Sequence, residues 1–216
     1  MSESEAEKRS LYPTTAEFIQ ARQAEYAQIP AARRAELEQL ADYVRVCLAA
    51  NRPARLTFVC THNSRRSHLA HIWAQVAAYI YRLDKVECYS GGTEVTALNP
   101  RAVESLRRAG FSIEGDDAHA ANPHYTIRYS EAGNAIVAFS KRFLDPPNPA
   151  TQFAAIMTCS HADENCPAVV GCDGRFAIRY EDPKAADDTP LEAQTYDERS
   201  CQICREMLYA MQKAAN

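Results

Sequence analysis

The segment LTFVCTHNSRRSHL, residues 56–69, contains the strongest structural signal in the chain. Its apolar, β-branched beginning predicts a strand that ends at Cys60, and a helical pattern starts at Ser67. The polar loop between them links the cysteine to Arg66 at the spacing C-x5-R. The segment therefore predicts a strand, a short loop and a helix N-terminus in direct succession.

This succession has the features of a site for a tetrahedral oxyanion. Backbone N–H groups of the loop can turn inward toward anionic oxygens, and the helix dipole adds positive potential near Ser67. The Arg66 guanidinium presents a planar fork that can bind two oxygens. The same features favour the thiolate of Cys60, which would be the nucleophile. The predicted oxyanion-binding residues are Thr61, His62, Asn63, Ser64, Arg65, Arg66 and Ser67.

The order of elements around this segment is typical of an α/β protein. Strands are predicted at 55–60, 86–89, 153–157 and 176–180, with helices at 67–82, 99–110 and 190–213. Strands that alternate with helices favour parallel pairing through right-handed crossovers. We therefore predict an open parallel four-stranded sheet flanked by helices.

The chain divides into three parts on sequence. Residues 1–12 are polar and acidic and are predicted to be a disordered tail. Residues 13–52 are predicted to form a helical hairpin, interpreted as a structural or dimerising addition. Residues 53–216 form the predicted catalytic domain, with an inserted β-hairpin at about 124–149.

Composition excludes several classes of protein. The net charge of −4, without a Lys/Arg run, argues against a nucleic-acid partner. No apolar run approaches about 18 residues, so no membrane association is expected. Eight cysteines without a signal peptide favour a reducing cytoplasm. We expect neither a cofactor nor a metal.

Three chemically suggestive segments follow predicted strands. They are Cys60 to Arg66, Cys159 to Cys166, and the pair Asp182-Pro183. In open α/β sheets, ligands bind beyond the carboxyl ends of the strands. We therefore expect the three segments to meet at one edge of the sheet.

Five motifs occur in a characteristic order. They are VCTHNSRRS (59–67), YSGGTE (89–94), NPRAVESLRRAGF (99–111), TCSHADENCP (158–167) and YEDPK (180–184). Together they resemble the low-molecular-weight tyrosine phosphatase superfamily, and within it the thioredoxin-coupled arsenate reductases. The resemblance covers residues 54–212, interrupted by the predicted hairpin.

The resemblance implies roles for the residues of the anion site. Cys60 would be the nucleophile and Arg66 the oxyanion clamp. Asp182 would be the general acid. Ser67 would hydrogen-bond the Cys60 thiolate, and Asn63 would shape the loop.

It also implies a redox pair, Cys159 and Cys166, and with it an arsenate reductase. In that chemistry Cys60 attacks arsenic, Cys159 attacks Cys60, and Cys166 attacks Cys159. A thioredoxin-like partner then reduces the resulting disulfide. One alternative is a phosphatase that hydrolyses aryl phosphates through a Cys60 phosphocysteine. Another is a non-enzymatic anion or redox sensor.

The redox pair sets a geometric requirement. If residues 159–166 were helical, the two cysteines would lie about 10 Å apart along the axis. A disulfide needs Cα atoms within roughly 7 Å. We therefore predict that this segment refolds when it is oxidised.

Three positions depart from the reductase pattern. Arg65 stands where those enzymes usually have a cysteine, and it is expected to add positive charge to the loop. His62 replaces a usual glycine, and either narrows the mouth of the site or helps to bind the anion. His71 matches a glutamate that contributes to a potassium site in some reductases, so that site is not expected here.

Overall fold

A parallel sheet of four strands forms the centre of the fold. The computed structural model describes residues 9–117, 119–165 and 169–216. The strands are β1 (Ala54–Cys60), β2 (Val86–Gly92), β6 (Phe153–Met157) and β7 (Cys172–Ala177). They lie in the order β2-β1-β6-β7, so β1 and β6 are central. This arrangement confirms the predicted fold class.

A second, antiparallel sheet lies beside the first. Its strands are β3 (Ser112–Gly115), β4 (Tyr125–Arg128) and β5 (Ile136–Ala138), in that order. The β4–β5 pair is the hairpin expected near 124–149, and β3 adds a third strand to it. The sequence of β3 alone does not predict this pairing, because a short segment forms a strand only where the fold places a partner strand beside it.

Helices cover the sheet and carry the N-terminal extension. They are α1 (Pro13–Gln23), α2 (Ala31–Ala49), α3 (Arg66–Ile80), α4 (Pro100–Arg108), α5 (Ser160–Asn165) and α6 (Glu192–Ala215). Short 3₁₀ turns occupy Tyr26–Gln28 and Pro183–Ala186. No helix in the described ranges is long and apolar enough to cross a membrane.

The last strand differs from the expectation of 176–180. Strand β7 spans Cys172–Ala177, so the polar residues before Phe176 pair with β6. An edge strand such as β7 tolerates polar residues because one side of it stays open. Beyond β7, the backbone N–H groups of Ile178 and Tyr180 donate to the carbonyls of Met157 and Thr158, each at 3.1 Å. These two apolar residues therefore lie beside the end of β6.

The N-terminal residues also differ from the expectation of a tail at 1–12. Arg9 pairs with Asp84 at 2.8 Å, and the Tyr12 N–H donates to the Tyr129 carbonyl at 2.9 Å. These contacts hold residues 9–12 against the main domain. Residues 1–8 lie outside the described part of the chain.

The N-terminal helices are part of the hydrophobic core. The buried Trp73 ring stacks on Phe18 of α1, with centroids 5.2 Å apart, and meets Phe111 edge-on at 5.0 Å. Its indole N–H donates to Ser200 of α6 at 2.9 Å. Helix α1 therefore covers the back of α3, the helix that follows the C-x5-R loop.

Replacing Phe18 with alanine is expected to lower the free energy of unfolding by about 2–4 kcal/mol, because it removes this stack and opens a cavity over Trp73. Urea denaturation at equilibrium measures the change. Val46→Ala on α2 is the control, because Val46 is 62% exposed and should change stability by less than about 0.5 kcal/mol. Equal effects of the two variants would show that α1 is not part of the core.

Candidate active site

The side chain of Cys60 ends β1 in a network of defined hydrogen bonds. The sulfur is 4% exposed and lies 3.1 Å from the Ser67 hydroxyl. That hydroxyl accepts a bond from the Asn63 amide at 2.9 Å, and the Asn63 oxygen accepts the Lys141 backbone N–H at 3.0 Å. The Ser67 hydroxyl accepts from Asn63 and can donate its own proton to the sulfur. The network therefore fixes the position of the Cys60 sulfur at the start of the loop.

The loop after Cys60 is open to an anion on its backbone side. Asn63 adopts a left-handed conformation with φ of 44°, a geometry that asparagine tolerates well. No hydrogen bond between described residues uses the N–H groups of residues 62–65. No side chain caps the N-terminus of α3. Free N–H groups of this kind, with the helix dipole behind them, form a cradle for oxyanions.

The end of β2 holds the cradle from the side. The Thr61 carbonyl accepts the Glu94 N–H at 2.8 Å, and the Ser64 carbonyl accepts the Asn99 N–H at 2.9 Å. A side chain at Gly92 would place its Cβ 2.7 Å from the Thr61 carbonyl and 2.8 Å from the Asn63 nitrogen. Glycine is therefore required where β2 passes the loop.

Arg66 joins the cradle to the Asp182 segment. Its guanidinium donates to the Tyr180 carbonyl at 3.0 Å and to the Asp182 carboxylate at 2.7 Å. Its buried Nε has no partner among the described residues. Asp182 also accepts the Lys184 N–H at 3.1 Å, as the cap of the 3₁₀ turn. An oxyanion in the cradle would compete with Asp182 for Arg66.

Arg65 was expected to add positive charge to the loop, but its side chain binds Tyr196 and Asp187 instead. Its guanidinium donates to the Tyr196 hydroxyl at 2.6 Å and to Asp187 at 3.0 Å. Burial raises the pKa of Tyr196 to about 12, so its phenol stays protonated and donates to Asp187 at 2.8 Å. Asp187 thus neutralises the guanidinium of Arg65, and this ion pair joins the segment after Asp182 to the loop.

His62 lies at the outer surface of the loop. Its ring is half exposed, and Nε2 lies 3.5 Å from the Glu94 carboxylate. The His62 carbonyl accepts hydrogen bonds from Thr96 and Ser140 at 2.9 and 3.1 Å. The imidazole therefore meets an acidic side chain at the mouth of the site.

A second thiol is buried against the same loop. Cys159 follows β6, is 1% exposed and belongs to the same apolar cluster as Cys60. Its sulfur lies 3.6 Å from the Thr61 hydroxyl and 3.4 Å from the Ala162 N–H in the first turn of α5. Cys166, the predicted partner of Cys159, lies outside the described residues. The structure thus brings Cys60, Arg66, Asp182 and Cys159 to one edge of the sheet.

Beneath the cradle lies a layer of buried bases. His68 is fully buried and lies 3.2 Å from the Ser90 hydroxyl, and burial lowers its pKa well below the usual value. Burial also lowers the pKa of His71 to about 3, so both rings are neutral. Lys141 is 5% exposed and adds to both shifts. Its ammonium has no carboxylate within ion-pair distance in the described ranges.

Replacing Lys141 with methionine is expected to raise the free energy of unfolding at pH 7 by about 1–3 kcal/mol, because burying a cation without a carboxylate partner is costly. The Phe139 carbonyl, which accepts from the ammonium at 3.3 Å, and the Phe139 ring offset only part of this cost. Burial lowers the pKa of Lys141 from 10.5 to about 8. The folded chain then binds fewer protons than the unfolded chain between these values, so the lysine's penalty fades as pH rises. The variant keeps the backbone N–H of residue 141, which donates to the Asn63 side chain.

Urea denaturation of both proteins at pH 7 and near pH 10 measures the effect. We expect the difference in unfolding free energy between variant and wild type to shrink at the higher pH. A difference that stays constant between the two pH values would contradict the assignment.

Several contacts of the site were not foreseen from the sequence. They involve Lys141, Asp187, Tyr196 and His161, whose Nδ1 lies 3.2 Å from the Thr61 hydroxyl. Only His161 falls inside a motif, TCSHADENCP, and the others carry no local signal. Among the described residues no cluster of three or more His, Cys, Asp or Glu side chains could hold a metal ion.

The chain is similar to known proteins of one superfamily. The family model described as "Low molecular weight phosphotyrosine protein phosphatase" matches residues 55–145. "Arsenate reductase 2" of Staphylococcus haemolyticus is 31% identical over 110 residues, which cover 51% of this chain and 63% of that protein. "Arsenate reductase 2" of Staphylococcus epidermidis is 31% identical over 127 residues, covering 58% and 76%.

Among solved structures, the low molecular weight protein tyrosine phosphatase from T. tengcongensis matches with a TM-score of 0.49 and 18% identity. The match covers 74% of this chain and 99% of that one.

Proposed function

Because the chain belongs to the low-molecular-weight phosphotyrosine protein phosphatase superfamily, we propose that it is an enzyme that reduces arsenate to arsenite. Cys60, Cys159 and Cys166 are the three thiols of the proposed cycle. A thioredoxin-like dithiol protein is the proposed reductant. The substrate is a tetrahedral oxyanion in either chemistry considered below.

One observation carries the choice of reduction over hydrolysis. The buried Cys159 sulfur contacts the side chain of Thr61, the residue directly after Cys60. The pairing of Val59 with Met157 brings the ends of β1 and β6 side by side. Hydrolysis of a phosphoester needs no second thiol at this position, whereas reduction of arsenic by the thiols of one chain requires one.

The first step of the cycle uses the oxyanion cradle. Arsenate binds the loop N–H groups and the Arg66 guanidinium, which gives up its bond to Asp182. The Cys60 thiolate attacks arsenic, so a sulfur–arsenic bond forms and an arsenic–oxygen bond breaks. Asp182, which takes up a proton from solvent when it releases Arg66, gives that proton to the departing hydroxide, which leaves as water. Arsenic remains in its pentavalent state.

The next steps move electrons from sulfur to arsenic. The Cys159 thiolate attacks the Cys60 sulfur, a disulfide forms, and the sulfur–arsenic electron pair stays on arsenic, which leaves as arsenite. Cys166 then attacks Cys159 and releases the Cys60 thiolate. The dithiol partner reduces the 159–166 disulfide and restores the starting state.

Oxidation is expected to change the structure around α5. This helix begins directly after Cys159 and runs to Asn165. A helical path of seven residues spans about 10 Å, whereas a disulfide needs Cα atoms within roughly 7 Å, so we expect the helix to unwind when Cys159 pairs with Cys166. Limited proteolysis of the reduced and the oxidised protein measures the change. We expect new cleavage between residues 159 and 172 after oxidation, and identical patterns would contradict a refolding segment.

A phosphatase is the second candidate. The group formed by Cys60, Ser67, Arg66 and Asp182 contains a nucleophile, an anion clamp and a proton donor, which suffice for hydrolysis of an aryl phosphate. Phosphate and arsenate share shape and charge. The two activities therefore differ in their need for the redox thiols.

One experiment separates the candidates. Wild type and Cys166→Ser are supplied with thioredoxin and arsenate, and separately with an aryl phosphate. Arsenate turnover that Cys166→Ser abolishes supports the reductase. Hydrolysis of aryl phosphate that is indifferent to Cys166, without arsenate turnover, supports the phosphatase. If the protein shows neither activity, the remaining candidate is the non-enzymatic sensor.

The proposed cycle requires a reducing compartment, and the cytoplasm supplies one. All seven cysteines in the described residues are free thiols, which fits this placement. A dimer through the N-terminal helices stays a prediction, and light scattering at working concentrations tests it.

A further inference from the structure

We propose that His161 accepts the proton of the Cys159 thiol through the hydroxyl of Thr61. The inference deepens the proposed arsenate reduction and rests on it. It gives His161 a positioning role in proton transfer, because the imidazole acts on Cys159 through another side chain.

Three side chains form a continuous chain of contacts. The Thr61 hydroxyl lies 3.6 Å from the Cys159 sulfur and 3.2 Å from His161 Nδ1. A hydroxyl can accept one hydrogen bond while it donates another. Thr61 can therefore accept from the thiol and donate to the imidazole, provided that Nδ1 is the unprotonated nitrogen.

The surroundings of Cys159 make such a route necessary. The thiol is 1% exposed and lies among the apolar side chains of Val59, Met157 and Val169. A proton cannot leave a dry site of this kind directly into water. The His161 side chain, in contrast, is exposed, so it can pass a proton on to solvent.

The thiolate that results is stabilised where it forms. The Ala162 N–H in the first turn of α5 points at the sulfur from 3.4 Å. The same helix carries His161, so one short element supplies both the stabilising N–H group and the proton acceptor. Both groups are therefore in place when Cys159 acts as a nucleophile.

The neighbouring acids are committed to other partners. Asp163 on α5 forms ion pairs with Arg175 and, at 3.6 Å, with Arg179. Asp182 is held by Arg66 at 2.7 Å. In the described part of the chain, His161 is the basic side chain in contact with the Thr61 hydroxyl.

The step balances in protons and electrons. The thiol proton moves to the Thr61 oxygen while the Thr61 proton moves to His161 Nδ1, which leaves an imidazolium and a thiolate. The thiolate attacks the Cys60 sulfur of the arsenic adduct and forms the disulfide. The sulfur–arsenic bond breaks, and its electron pair stays on arsenic, which is thereby reduced to arsenite. The imidazolium then loses its extra proton to water.

A single-turnover measurement tests the proposal. In a Cys166→Ser background the cycle should stop at the Cys60–Cys159 disulfide, whose rate of formation is followed by acid quench and peptide mass spectrometry. Adding His161→Gln is expected to slow this rate by roughly 100-fold, because glutamine keeps a hydrogen bond to Thr61 without a basic nitrogen. His119→Gln, the same change in the β3–β4 connection, should leave the rate unchanged.

Three further variants separate proton transfer from structure. Thr61→Val should slow the step as His161→Gln does, and the double variant should be no slower, because the two residues act as one unit. Thr61→Ser should keep most of the rate. Added imidazole should restore at least part of the rate to His161→Ala and none to Thr61→Val.

The outcomes are distinct. If His161→Gln forms the disulfide at the background rate, or if imidazole does not accelerate His161→Ala, the proposal is overturned. If the Cys166→Ser protein itself forms no Cys60–Cys159 disulfide with arsenate, the proposed function fails first.

Discussion

Cys60→Ser is expected to lower arsenate turnover by roughly 10⁴-fold or more, because every later step depends on this thiol. A serine hydroxyl at this position is not ionised and is a poor nucleophile toward arsenic. It also cannot form the disulfide that carries the electrons. The fold should persist, because the change replaces one small buried side chain with another of similar size.

Steady-state turnover and oxyanion binding, measured together, test this expectation. Arsenate should still bind to Cys60→Ser, because the loop N–H groups and Arg66 are untouched. Cys201→Ser is the matched control, since Cys201 is partly exposed on α6 and contacts Arg22 at 3.1 Å, away from the cradle. Activity above a tenth of wild type in Cys60→Ser would show that another residue is the nucleophile.

Asp182→Asn is expected to lower kcat by roughly 10²–10⁴-fold, because the amide cannot give a proton to the departing hydroxide. The same change should tighten oxyanion binding by about 2- to 5-fold. In the free enzyme the Asp182 carboxylate holds Arg66 at 2.7 Å, and an amide holds it less strongly.

The opposite signs of the two effects make the prediction specific. Pre-steady-state rates give the chemical step, and competition with inorganic phosphate gives the affinity. Asp84→Asn, at an exposed carboxylate paired with Arg9, is the control and should change neither. If Asp182→Asn weakened binding and left kcat intact, Asp182 would be a binding residue and no proton donor.

The anion cradle could be predicted because its parts are adjacent in sequence. A strand, a polar loop and a helix N-terminus follow one another from Leu56 to Leu69, and local pattern is sufficient to recognise them. The meeting of Asp182 and Cys159 with this loop could also be anticipated. Parallel strands place their carboxyl ends on one edge, so segments that follow β1, β6 and β7 must converge there.

Other features depend on contacts between distant parts of the chain. The charge of Arg65 was assigned to the anion, because nothing near it in sequence reveals that Asp187 and Tyr196 hold its guanidinium. Lys141 could not be connected with the loop, since its link to Asn63 spans 78 residues. The start of β7 was misplaced because its first residues are polar, and its pairing with β6 outweighs local preference.

The proposed cycle requires that the thiols of one chain deliver two electrons to arsenic. Reduced wild type, mixed with excess arsenate and no reductant, tests it most directly through the amount of arsenite released. We expect one arsenite per chain and a disulfide between Cys159 and Cys166, with Cys60 recovered as a free thiol. Release of no arsenite, with all three thiols still reduced, would contradict it.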